Sequence, residues 1–111
     1  MSDCLFCKIA NGDGNKVYEN DEFVIIKDIA PQAALHYLVI PKRHFDDITD
    51  ISANAPDLLA RIFVTVSGLV DRLGLQDGFR LITNQGTNGC QSVKHLHIHL
   101  LGGEKLGERM C

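Results

Sequence analysis

His95-Leu96-His97-Ile98-His99-Leu100-Leu101 is the stretch that most restricts how this chain can fold. Three histidines stand at every second position, with Leu and Ile between them. Such alternation fits a half-buried β-strand, because successive side chains on a strand point to opposite faces. A helix would scatter the same residues around its axis. The spacing therefore predicts a strand whose aliphatic positions enter the core. Its three imidazoles would form one exposed row, spaced roughly 7 Å apart.

The rest of the chain supplies neighbours for that strand. Val17-Tyr18-Glu19 and Phe23-Val24-Ile25-Ile26-Lys27 read as strands, joined through the turn signal Asn20-Asp21. His36-Tyr37-Leu38-Val39-Ile40 reads as a third, closed by Pro41, with Lys42-Arg43-His44 leading into a loop or short helix. One long helix is expected from about Ala55 to Leu73. Asn54 would cap it, Pro56 and Asp57 suit its first turn, and Gly74 would end it. Its apolar stripe, running from Leu58 to Leu73 at helical spacing, reads as core. Phe79–Asn84 is a fourth strand, and Gln85-Gly86-Thr87-Asn88-Gly89 is a loop before the histidine strand. Cys4–Ile9 would form a short N-terminal helical turn. Strands, one main helix, then strands in 111 residues imply a single α+β domain over 1–111 with an antiparallel sheet.

Charge narrows the partners. The formal charge is −3 and no long Lys/Arg run occurs, which argues against polymeric nucleic acid while leaving room for a single nucleotide. No apolar run approaches the roughly 20 residues of a membrane span. No charged-then-apolar leader opens the sequence. A cytoplasmic protein without a membrane partner is expected. In that compartment the four cysteines are thiols or metal ligands rather than disulfides.

A row of imidazoles can divide chemical labour. Neutral imidazole is a nucleophile and imidazolium an acid near its reference pKa of about 6.5. His97, at the centre, is the natural attacker. His99 can donate to a phosphoryl oxygen, and His36 is a candidate partner that fixes the attacker's tautomer. His95 completes the row. Gly86 and Gly89 allow turns that aim backbone N–H groups at an anion, and Gln91 and Ser92 add side-chain donors. The same histidines could instead hold a catalytic zinc. That arrangement wants orienting carboxylates, and nothing acidic precedes Glu104 near the row. Cys4-x-x-Cys7 is half of a structural zinc site, for which His44 and His95 are the histidines without an obvious catalytic task. The alternative is a pair of ordinary N-terminal thiols, one packed in the core.

These pieces together resemble the histidine triad (HIT) family of nucleotide-binding proteins. The resemblance rests on His95-x-His97-x-His99-Leu100-Leu101 after Gln91-Ser92-Val93, and on Asp28-Ile29-Ala30-Pro31-Gln32-Ala33 followed by His36-Tyr37-Leu38-Val39-Ile40-Pro41-Lys42. It extends to Leu73-Gly74-Leu75 and Gly78-Phe79-Arg80-Leu81 with Asn84. Leu101-Gly102-Gly103 is similar to the purine nucleoside phosphoramidase branch.

The resemblance implies a HIT-like five-stranded antiparallel sheet with two helices, pairing into a ten-stranded homodimer. It implies attack of His97 on the α-phosphorus of an adenosine phosphoramidate, a covalent nucleotidyl-histidine, and release of AMP by water, with no metal needed for the chemistry. His99, Gln91, Ser92 and the backbone at Cys90 would hold the phosphate, Asn84 would position the loop, and His36 would be the relay partner. Asp28 would bind the ribose, and Phe6, Ile9 and Ile29 would line the base pocket. Some bacterial-type relatives carry a structural zinc on positions matching Cys4, Cys7, His44 and His95. Two departures bear on the leaving group. Cys90 stands where that branch carries glycine, and the sequence closes at Cys111 soon after Gly102-Gly103. A dinucleoside polyphosphate hydrolase and a nucleotide-sensing or scaffold protein are the alternatives.

Overall fold

Alternation along the strands gives the sheet two faces that are used differently. The computed structural model describes residues 4–109. Its strands are β1 (Tyr18–Glu19), β2 (Phe23–Lys27), β3 (Leu35–Pro41), β4 (Phe79–Ile82) and β5 (Ile98–Gly102). They form one antiparallel sheet in the order β1-β2-β3-β5-β4, as the five-strand reading requires. The helices are α1 (Leu5–Asn11), α2 (Ile48–Asn54) and α3 (Pro56–Gly68).

One face carries Phe23, Ile25, Tyr37, Val39, Ile98 and Leu100, and these pack with Ile51 of α2 and Leu58, Ile62 and Val66 of α3. Burial of this apolar surface is the main force holding the helices to the sheet. The Tyr37 hydroxyl, buried among them, donates to the Leu73 carbonyl at 2.8 Å. The other face carries Val24, Leu38 and Ile40, covered by Phe6 and Ala10 of α1. With only seven residues, α1 roofs one part of this face. The adjoining part holds histidines.

Three expectations need correction. The long helix expected over Ala55–Leu73 is shorter, α3 ending at Gly68 before the chain turns, and a separate helix, α2, precedes it. Leu69, Val70 and Leu73 still pack on the core, so the apolar stripe outlasts the helix. Asn54 does not cap α3. It is the last residue of α2 and its amide donates to the Asp50 carbonyl at 3.0 Å, leaving Ala55 at the N-cap of α3 without a side-chain bond. Asp47 caps α2 instead, accepting from Asp50 N–H at 2.9 Å. The third correction concerns β5, which begins at Ile98 rather than His95. Upstream, the Leu96 N–H donates to the Phe45 carbonyl at 2.7 Å, outside the sheet ladder. No helix among the described residues is long and apolar enough to cross a membrane.

Register then places the site. His99 pairs with Leu38 on one side and Ile82 on the other. His36 lies two residues from Leu38, hence on the same face and diagonal to His99.

Candidate active site and metal centre

The three histidines do not form one exposed row. His95 and His97 are 0% and 4% exposed, and only His99 is half open. Two features cause this. The chain before Ile98 leaves the ladder, and α1 lays Phe6 over it. The Phe6 ring stands edge-on to His97 at 4.8 Å between centroids and to His95 at 6.2 Å.

Hydrogen bonds fix each ring. Nδ1 of His97 lies 2.9 Å from the His95 carbonyl, which only accepts, so the ring proton sits on Nδ1. Nε2 therefore carries the lone pair. It has no hydrogen-bond partner among the described residues, and because no fully buried side-chain nitrogen or oxygen there is left unpaired, Nε2 is the part of the ring that reaches the surface. The Gln32 N–H donates to Nδ1 of His36 at 3.0 Å, so His36 is protonated on Nε2. That N–H faces His99 Nδ1 at 2.9 Å and Asp28 Oδ2 at 3.4 Å. His99 accepts at Nδ1 and so offers an N–H from Nε2. Burial, helped by the neighbouring His97 and His36 and opposed by Asp28, pushes the His99 pKa below its ordinary value. A ring whose Nε2 is unpartnered and a ring that donates from Nε2 thus lie side by side, with ring centroids 5.1 Å apart.

The preceding loop is braced by its own side chains. Asn84 donates to the Gly89 carbonyl at 2.8 Å. Gln91 accepts from Gly86 N–H at 3.0 Å and donates to the Asp46 and Val93 carbonyls at 2.6 and 3.1 Å. Its amide is consumed in holding the loop, which corrects its expected place as a phosphate donor. Ser92 is exposed, and so is Cys90, whose φ of 60° is left-handed. Asp28 folds back to accept from Ala30 N–H at 2.8 Å. Phe6 is buried against His97 and Ile9 packs in the α1 cluster, but Ile29 is 101% exposed, so the wall expected from it stands open to solvent. Beyond His36 and His99 opens a cavity of about 500 Å³, lined also by Arg80 and Arg109.

The cysteines meet the two remaining histidine nitrogens. Nδ1 of His95 lies 3.3 Å from the sulfurs of both Cys4 and Cys7, and Nδ1 of His44 lies 3.3 Å from Cys7 Sγ. All four ligand atoms fall within 4.8 Å of one another. Nε2 of His95 donates to the Pro41 carbonyl at 2.9 Å, and Nε2 of His44 to Asp46 at 3.0 Å. Both rings therefore turn an Nδ1 lone pair toward the thiols. Ligand atoms around tetrahedral zinc lie about 3.5 Å apart, so this donor set fits the ion. For the Cys4 thiol, burial raises the pKa but hydrogen bonds from Cys7 and His44 outweigh it, and the net shift is downward, toward thiolate. The carboxylate that orients His44 is Asp46, which sequence reasoning missed. With both nitrogens engaged, His95 leaves the catalytic row and belongs to this cluster alone. Asp28, His36 and His99 also cluster closely, but the His36–His99 hydrogen bond accounts for their approach. Cys111 lies outside the described residues.

Comparison with known proteins agrees with this geometry. Residues 3–110 match the family model described as scavenger mRNA decapping enzyme C-term binding. Protein HitA of Neisseria gonorrhoeae is 43% identical over 104 residues, spanning 92% of this chain and 97% of that protein. A histidine triad protein from Clostridium difficile superposes with a TM-score of 0.90 at 43% identity, covering 98% of this chain and 97% of the other. A HIT family hydrolase from Legionella pneumophila gives 0.87 at 40% identity, covering 96% and 97%. A zinc-bound histidine triad family protein from Mycobacterium smegmatis gives 0.72 at 32% identity, covering 97% and 82%. The alternating histidines, the sheet that carries the last of them and these relatives together establish that the chain belongs to the histidine triad family.

Proposed function

We propose that this protein hydrolyses purine nucleoside 5'-phosphoramidates through a nucleotidyl intermediate on His97. The observation that carries the reading is the tautomer of His97. Its Nδ1 proton is held by the His95 carbonyl, which leaves Nε2 as an uncharged nucleophile. In the first step the Nε2 lone pair forms a bond to the α-phosphorus and the P–N bond breaks. Its electron pair leaves with the amine, which takes a proton from water through the exposed Ser92 hydroxyl. The attacking ring becomes a nucleotidyl-imidazolium, and its Nδ1–H···O=C bond strengthens as positive charge appears. His99, held by His36, donates its Nε2–H to a phosphoryl oxygen. In the second step water attacks phosphorus and gives its proton back to solvent through Ser92, the P–Nε2 bond breaks with its electron pair returning to the ring, and AMP leaves with the ring in its starting tautomer. Asp28, half-buried at the start of the turn after β2, is placed for the ribose hydroxyls. The Legionella relative, a HIT family hydrolase, supports the reaction class.

Cys4, Cys7, His44 and His95 would hold one zinc ion. When bound, it ties α1 to the turn before β5. The zinc-bound mycobacterial relative supports this assignment. In this reading the protein works as a homodimer in the cytoplasm. The test is intact-protein mass after mixing with an adenosine phosphoramidate. A gain of one AMP that H97A abolishes supports the covalent step. Hydrolysis by H97A at the wild-type rate would overturn it.

A further inference from the structure

The geometry points to the cavity beyond His36 and His99 as a subsite for leaving groups that carry an oxyanion, a carboxylate or a phosphoryl group. This deepens the hydrolase reading above and rests on it. Among the described residues the polar lining consists of Arg80, Arg109, His36, His99, Gln32 and Asn84, and no acidic side chain contributes. At about 500 Å³ the space suits a leaving group of amino-acid size. His99 borders both the attacking ring and this cavity. A phosphorus centre held between His97 and His99 therefore has its fourth substituent free to run into it.

The two arginines decide which substituent is welcome. Arg80 stands two residues before Ile82, which pairs with His99, so strand periodicity puts Arg80 on the histidine face. Its guanidinium donates to the Gly107 and Arg109 carbonyls at 2.7 and 3.3 Å. These bonds hold the fork in place without neutralising it. None of the ion pairs among the described residues includes Arg80 or Arg109. Guanidinium stays charged at any working pH and presents a planar donor fork that matches carboxylate and phosphate oxygens. A cavity walled by two such groups repels an ammonium-bearing leaving group and attracts an anionic one.

The test compares four adenosine 5'-phosphoramidates whose amine arms have equal length and end in carboxylate, phosphonate, methyl or ammonium. For the wild-type protein, kcat/KM for the better of the two anionic arms should exceed that for the ammonium arm by roughly tenfold or more, with the gap shrinking as salt rises. The carboxylate and phosphonate arms identify which oxyanion the site takes. R109E should lower the anionic-to-ammonium ratio at least about fivefold. Anionic and ammonium arms within about twofold in the wild type, or an unchanged ratio in R109E, would overturn the inference. Non-hydrolysable sulfamoyl-adenosine analogues with the same arms, compared by equilibrium binding, separate this from the reaction itself. If no phosphoramidate is cleaved while the anionic analogues still bind best, the hydrolase reading falls and the subsite stands.

Discussion

His95 and His97 lie two residues apart, are both buried, and touch the same phenylalanine, yet their rings serve opposite ends. The difference lies in the second nitrogen. In His95 the Pro41 carbonyl takes the Nε2 proton, so Nδ1 turns to the thiols of Cys4 and Cys7. In His97 the His95 carbonyl takes the Nδ1 proton, so Nε2 is left without a partner among the described residues. One ring has every valence spoken for by the protein, and the other has one in reserve. Position within an alternating motif does not assign a histidine its task. The partner that fixes its tautomer does.

The contrast breaks most sharply at the attacking ring. H97N should lower phosphoramidate turnover by at least about a thousandfold while AMP binding and metal content stay near wild type. Elemental analysis beside the rate measurement checks both halves. H95N should behave in the reverse sense, losing metal and stability. Leaving the Pro41 carbonyl and two thiols without their partner costs about 2–3 kcal/mol, which lowers Tm by roughly 10 °C. A variant H95N that kept its metal and its melting temperature would erase the distinction.

A gentler test uses pH. The pKa values of His99 and His95 are pushed below 6.5, in both cases chiefly by burial. Between those lowered values and 6.5 the unfolded chain binds more protons than the folded one, so stability is full above about pH 6.5 and falls on acidification. Denaturant midpoints at pH 7.5 and 5.5 should show that loss, and H99N should reduce it. The smallest effect is expected at Cys90, where a left-handed φ of 60° burdens a residue with a β-carbon. C90G relieves that strain and returns some chain entropy, for a net gain of about 0.5 kcal/mol by denaturant titration. A loss of stability would mean the Cys90 side chain makes a contact worth more than the strain.

Much of this was legible from residue order alone. The period-two pattern placed β5, apolar runs bounded by the Asn20-Asp21 turn and by Pro41 placed β2 and β3, and the apolar stripe from Leu58 placed α3 against the sheet. What escaped depends on partners distant in sequence. Leu96 leaves the ladder because Phe45 offers a carbonyl, and no local pattern announces that bond. Gln91 has the chemistry of a phosphate donor, but the Asp46 and Val93 carbonyls claim its amide first. Asp46 stands two residues after His44 in the chain and was still missed, because only the folded ring orientation makes its carboxylate an orienting group. One omission had a local signal. Asp47 followed by Asp50 marks the start of α2, yet the Pro56 cue drew the whole helix to one side of it.

Phe6 sits between Cys4 and Cys7 in the chain, and its ring forms the wall behind His97. Anything that unseats the first turn of α1 also unseats that wall. Joining the two thiols by oxidation, or stripping an ion from between them, would leave a molecule with all its catalytic groups and slack behind the reacting ring. Chelators should therefore slow turnover without ever reaching the phosphate loop, and so should peroxide acting on C90G, which lacks the exposed loop thiol. The history of two sulfur atoms at the N-terminus would be written into the rate of a reaction carried out by a ring ninety residues downstream, His97 lying at that distance from Cys7.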